Sequence, residues 1–204
     1  MRRLLTGLLL ALLVQVSGNA DWTKPYFAAT KPGSWATSRL TSTITEPSTT
    51  TLTRQPDQDG RIVIDQYSEF KNKDTPPSTM RYVLAAGFDA DRKLIDFLSA
   101  LDAASASVGK DGTFTDLPAD TVKAISAMPP YGPGAALKNV ETVDGKPCDH
   151  YTYSRTDNGR LETGEIWLNA SVPFGVVKQI IKSTDASGKA YTAEVRLVDS
   201  GFKK

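Results

Sequence analysis

Cysteine and histidine are almost missing from this chain: its 204 residues include one of each, Cys148 and His150. A lone cysteine has no partner within the chain, so disulfides do not staple the fold and a hydrophobic core must hold it. A lone histidine leaves a single imidazole base, and no serine sits in the elbow motif of a hydrolase. An excess of charge of one sign is missing too. There are 24 Lys and Arg against 23 Asp and Glu, a formal net charge of +1, and the basic residues are dispersed. Nucleic acid demands clustered phosphate-neutralising charge, so that partner is disfavoured, as is attraction to anionic membranes. Glycine-rich nucleotide loops and internal repeats of useful length are absent as well.

One long apolar run is present, at the start. Arg2 and Arg3 precede an apolar stretch from Leu4 to Val16, and Gly18-Asn19-Ala20 puts small residues where signal peptidase cuts. The stretch is shorter than the roughly 20 apolar residues of a bilayer span. Residues 1–20 therefore read as a Sec-type signal peptide cleaved after Ala20, on a periplasmic or secreted protein with no stable membrane insertion afterwards. Losing Arg2 and Arg3 leaves 22 basic against 23 acidic side chains. Residues 21–204 are long enough for one domain with a real core.

Period-two patterning dominates that domain. Strands are predicted over Trp35–Thr45, Thr49–Arg54, Arg61–Phe70 and Thr79–Ala86, after an irregular lead-in from Asp21 to Gly33 broken by Pro25 and Pro32. The period then changes. Leu94, Ile95, Leu98 and Leu101 recur at helical spacing and predict a helix over Ala90–Ala106. A second, short helix is predicted from near Asp116 to before Pro129-Pro130, with Pro118 in its first turn. Strands return at Val140–Val143 and Cys148–Ser154 around Asp144-Gly145, a hairpin signal. Leu161–Leu168, Val176–Ser183 and Lys189–Val198 complete the set. Tyr191, Ala193, Val195 and Leu197 alternate with Thr192, Glu194 and Arg196, the pattern of a sheet with one buried face. The fold class is α+β: an antiparallel sheet with two helices inserted at about 90–128 and covering one face.

The C-terminal third adds three local patterns: Gly-Lys-Pro-Cys-x-x-Tyr at Gly145–Tyr151, the Trp167–Lys178 hairpin with Pro173 and Gly175, and a closing Leu-Val-Asp-Ser-Gly-Phe-Lys. With the order of elements, these resemble the lipoprotein-localisation carriers LolA and LolB and their superfamily of exported bacterial proteins. The resemblance implies a strongly curved antiparallel sheet, a half-open barrel, with helices on its concave face. Those carriers begin with a long amphipathic helix, whereas Asp21–Ser34 is broken by proline and glycine.

Candidate chemistry is sparse. On a strand Cys148 and His150 share a face roughly 7 Å apart, which opens a metal-binding alternative, but a metal site wants three or four protein ligands. The bland alternative is a buried thiol and a sheet-surface imidazole. Carboxylate pairs such as Asp89 with Asp91 and Glu162 with Glu165 read as caps and solvated faces. Asn169-Ala170-Ser171 matches the glycosylation sequon. No catalytic residue, no metal ligand and no cofactor is assigned. The function expected is non-enzymatic: binding of a hydrophobic or lipid-like ligand, or of an envelope protein, between sheet and helices. Its candidate lining is Trp35, Leu40, Tyr82, Leu94, Leu98, Leu101 and Trp167. The alternative is an interaction module with a filled core, working through a sheet edge or the loops at Lys71–Ser78 and Pro129–Pro133.

Overall fold

In the computed structural model of the protein the described residues are 25–72, 74–88, 97–109, 112–127, 136–157, 160–184 and 188–203. The N-terminal half supplies β1 (Ser34–Ser42), β2 (Ser48–Arg54), β3 (Val63–Phe70), β4 (Ser78–Leu84), β5 (Leu101–Val108) and the two-residue β6 (Thr115–Asp116). Helix α1 (Ala119–Ser126) follows, and then β7 (Ala136–Val143), β8 (Lys146–Asp157), β9 (Arg160–Leu168), β10 (Val176–Thr184) and β11 (Ala190–Phe202). All eleven strands form one antiparallel sheet in the order β6-β5-β4-β3-β2-β1-β11-β10-β9-β8-β7. Every neighbour but one is joined by the next turn of the chain. The exception is β1 with β11, where Ser34 lies opposite Phe202. The sheet is curved and does not close: β6 and β7 are its edges, and α1 lies between them in sequence.

Local chemistry explains the turns and the curvature. Asp144 and Gly145 both have positive φ, 49° and 74°, as a two-residue hairpin turn matched to strand twist requires. Asp59 and Gly60 repeat the device between Gln58 and Arg61. Register shifts occur at Thr37/Ser38, Val83/Leu84, Leu137/Asn139 and Val176/Lys178. Each such irregularity bends a strand and increases its twist.

The predicted helix over Ala90–Ala106 is corrected where the structure describes it. Leu98–Ala100 is a single 3-10 turn and Leu101–Val108 is strand β5, paired along β4 from Ser78↔Val108 to Leu84↔Leu101. The residues Ala103 to Ser107 are small and helix-tolerant, but β4 offers a row of backbone donors and acceptors, and pairing with it outweighs intrinsic propensity. Leu94 and Ile95 lie outside the described residues. One α-helix, not two, therefore accompanies the sheet among the described residues. Its Val122 and Ile125, one turn apart, are buried against the sheet.

The register sorts side chains onto two faces. The inner face carries most of the core. Its largest cluster gathers Ala36, Leu52, Ile64, Met80, Tyr82, Leu101 and Ala104 from the sheet with Phe27, Phe97, Leu98, Phe174 and α1. Tyr151, Tyr153, Ile166 and Leu168 make a second cluster with Tyr26. Leu40, Ile181, Ala193 and Val195 make a third. The outer face has a smaller cluster built on Cys148, Trp167, Val172 and Val177.

Candidate functional site

The inner face is filled at its centre by residues that carry no periodic signal. Tyr26 and Phe27, adjacent in the irregular lead-in, are both 0% exposed. They point into different clusters. The ring of Phe27 sits 5.5 Å from Phe88, 6.2 Å from Phe97 and 6.0 Å from Phe174, mostly edge to face. The Tyr26 hydroxyl donates to the buried Asp149 carboxylate and lies 3.0 Å from the Tyr151 hydroxyl. With its own proton spent on Asp149, Tyr26 accepts from Tyr151. A carboxylate taken out of water needs such donors. Nearby, the Thr30 hydroxyl oxygen accepts the backbone N–H of Phe174 at 2.7 Å. Phe174 has φ +61°, an uncommon conformation for a bulky residue.

Beside this packed centre the inner face opens. A groove of about 600 Å³ runs between α1 and the β5–β6 end of the sheet. Its apolar wall is Leu101, Ala103, Ala104, Leu117, Ala119 and Val122. Its polar rim is Asp102, Asp116, Lys123 and Ser126, and Asp102 is paired with Arg61 at 2.8 Å. The groove exists because β6 is only two residues long. The chain leaves β5 at Pro118 to begin α1, so helix and strand diverge. Leu101, Ala104 and Val122 belong to the same cluster as Phe27, so the floor of the groove is continuous with the packed centre.

The outer face holds the polar cluster that Cys148-Asp149-His150 foreshadowed. His150 is buried with both ring nitrogens engaged: Nδ1 lies 3.0 Å from Asn139 Oδ1 and Nε2 lies 2.7 Å from Glu165 Oε2. Its ring stacks on Trp167 at 4.2 Å, and Lys178 covers the indole at 4.6 Å. The indole N–H donates to Glu141. Cys148 does share this face, but its thiol donates to the Lys146 carbonyl at 3.3 Å and is pushed up from the ordinary thiol range by burial. No three His, Cys, Asp or Glu side chains are grouped for a metal among the described residues. The metal-binding alternative thus has no ligand set there: both imidazole nitrogens are taken up by hydrogen bonds with Asn139 and Glu165.

The seven residues proposed from sequence divide between these places. Tyr82, Leu98 and Leu101 meet in one inner cluster, and Leu101 also lines the groove. Burial raises the Tyr82 phenol well above its ordinary range, and its hydroxyl donates to Gln66 at 3.1 Å. Leu40 is on the inner face in a separate cluster. Trp167 and Trp35 are on the outer face. Trp167 packs on His150, and the indole of Trp35 lies over Gly201 of the neighbouring strand. Leu94 lies outside the described residues. Sequence reasoning missed Tyr26 and Phe27, because one aromatic pair in a Pro- and Gly-broken segment has no period to betray it. It pointed to the helix after Asp116 as a wall for the ligand but did not single out Leu117, Ala119 and Val122, which line the groove there. The glycosylation sequon is structural: Asn169 is buried, its amide donates to the Pro147 carbonyl at 2.7 Å, and its oxygen accepts from Ser171 N at 2.8 Å.

No protein-family model and no curated protein matches the chain. Solved structures of similar arrangement include MucB, 13% identical with a TM-score of 0.47, a match covering 91% of this chain and 59% of that one. This chain thus spans little more than half the length of MucB. A protein of YmcC-like fold from Bacteroides fragilis is 10% identical, with 84% and 97% covered and a TM-score of 0.38. A LolA superfamily protein from Nitrosomonas europaea stands among them. It is 10% identical, with 88% and 91% covered and a TM-score of 0.20. At these identities and scores no residue role passes from them to this chain.

Proposed function

We propose that this is an exported, non-enzymatic binding protein that holds the apolar part of a lipid-like, amphipathic ligand in the groove between α1 and β5. The observation that carries the reading is the groove itself: about 600 Å³, walled by Leu101, Ala104, Leu117 and Val122, with charged groups confined to its rim. Apolar walls with a few polar groups at the mouth are what a chain with a polar head requires. Export rests on the N-terminal pattern, and the protein recovered from outside the cytoplasm is expected to begin at Asp21 by intact mass.

Two measurements test the binding. Native mass spectrometry of protein purified from its own host is expected to show a lipid-like adduct. Titration with the apolar dye N-phenyl-1-naphthylamine is expected to saturate. Ala103 is exposed in the groove wall, so Ala103→Trp fills the space without entering the core. That substitution is expected to weaken the dye by about tenfold, or about 1.4 kcal/mol. No adduct, and equal affinity for the variant, would sink the reading.

A second reading is favoured by β7. Among the described residues it has one neighbour, β8, and it exposes Leu137 and Val140 at 44% and 62%. An extended segment of another envelope protein could add to that edge. Val140→Lys would then abolish capture of the partner while leaving dye binding intact.

A further inference from the structure

The segment 25–31 is attached in an unusual way. Its backbone bonds are largely its own: Ala28 N–H to Pro25 O at 3.0 Å, Thr30 N–H to Phe27 O at 2.9 Å and Lys31 N–H to Ala29 O at 3.2 Å. It belongs to no strand of the sheet. Side chains tie it down. Tyr26 reaches Asp149 and Tyr151 on β8, Phe27 enters the aromatic cluster of Phe97 and Phe174, and Thr30 accepts from Phe174. The segment's end is held to the start of β1: Ser34 N–H donates to Lys31 O at 2.8 Å, and the Ser34 hydroxyl donates to Ala29 O at 3.2 Å and accepts from Lys31 N–H at 3.0 Å. None of these is a ladder bond, so the segment can swing about Ser34 with the sheet intact.

What it would leave behind is room that an apolar chain can use. Phe27 packs in the same cluster as Leu101, Ala104 and Val122, which form the inner wall of the groove. The contact on the far side is strained: Phe174 holds a left-handed φ of +61°, followed by Gly175 at +74°. Strain of this kind persists only when neighbours enforce it, and Phe27 and Thr30 are two of those neighbours. Departure of the segment would let that turn relax.

We propose that Phe27 is an internal occupant of the space behind the groove wall, held there by the anchor of Tyr26, and that segment 25–31 is a strap which swings out as the apolar chain of a ligand takes the place of the Phe27 ring. The inference rests on the binding function proposed above and adds its regulation. Binding is then a competition with the chain's own residues. The apparent affinity is lowered by the fraction of molecules with the strap in place.

The test uses the full-length chain and N-phenyl-1-naphthylamine. Hydrogen–deuterium exchange of residues 25–31 is followed in the wild type with and without saturating dye. Exchange in the strap is expected to speed up on saturation, while β1 and β11 stay protected. In parallel the dye is titrated against Tyr26→Phe, which removes the hydroxyl that ties the strap to Asp149 and keeps the ring, and against Phe27→Ala. Both are expected to bind about tenfold tighter than the wild type, the strapped fraction no longer taxing the equilibrium. If either variant fails to fold, the exchange experiment on the wild type decides alone. Dye binding that is weakened by Ala103→Trp but leaves strap exchange unchanged or slower overturns the strap and spares the binding function. No dye binding to wild type or variants overturns both.

Discussion

Gly164 on β9 has no side chain because Tyr153 lies across it. A Cβ there would meet the Tyr153 ring and hydroxyl at 2.4 Å and the Ile180 carbonyl oxygen at 2.4 Å. Tyr153 and Gly164 are cross-strand partners, so the ring covers backbone that a glycine would otherwise expose. Trp35 over Gly201 repeats the device on the opposite face. Gly164→Ala is therefore expected to cost about 3 kcal/mol, at the upper end for overpacking, as read by urea denaturation. Gly60, where an added Cβ meets nothing within 4 Å, has the usual left-handed penalty of about 1–2 kcal/mol instead. Cys148 offers a second check. It is fully buried, and burial pushes its thiol up, so the reactive thiolate is scarce at neutral pH. Iodoacetamide is expected to leave it unmodified in the native protein and to label it once urea has unfolded the chain. Rapid labelling under native conditions would contradict the packing of the outer face.

At the scale of elements, α1 depends on tertiary contact. Eight residues are too few for a stable isolated helix. Pro118 precedes it, Asp120 favours its first turn and Lys123 its last, but Val122 and Ile125 hold it to β5. Ile125→Ala is expected to cost about 2–4 kcal/mol and to weaken dye binding as well, since the groove has α1 for one wall. Unchanged stability would mean that the helix is not docked. The contrast between β11 and β5 shows what could be read in advance. Lys189–Val198 alternates cleanly, and the strand is there, extended to Phe202. In β5 the alternation is blurred by alanine and serine, which fit either state, and Leu94 to Leu101 happen to fall at helical spacing. The deciding fact for Leu101–Val108 was the open edge of β4, which only the folded chain presents. The site divided for the same reason. Tyr82, Leu98 and Leu101 share a cluster, and their apolar character sufficed to nominate them. Trp35 and Trp167 were nominated for size, but alternation along their strands turns them to the other face. Tyr26 and Phe27 are placed by contacts with residues more than a hundred positions away, beyond any local pattern.

For the whole molecule, the governing fact is that the two meanders β1–β6 and β7–β11 meet only through β1 and β11 among the paired strands. Rotating the chain so that it starts at Ala136, passes from Lys203 through a flexible linker to Pro25, and ends at Ala127 would give a sheet in which every strand pairs with its sequence neighbour. That permutant is expected to fold, with a circular dichroism spectrum like that of the parent and a similar urea midpoint; failure to fold would mean that the β1–β11 junction is not the ordinary antiparallel pair described here. Its kinetics follow from polymer statistics. In the natural order, Ser34 must find Phe202 before the halves unite, a search that spans nearly the whole chain. Chains dominated by such distant encounters fold slowly. Stopped-flow refolding should find the permutant faster with unfolding little changed. Until that last encounter is made, the natural chain holds two half-sheets, each with a bare edge at β1 or β11. That interval is when the chain is most exposed to pairing with the wrong neighbour.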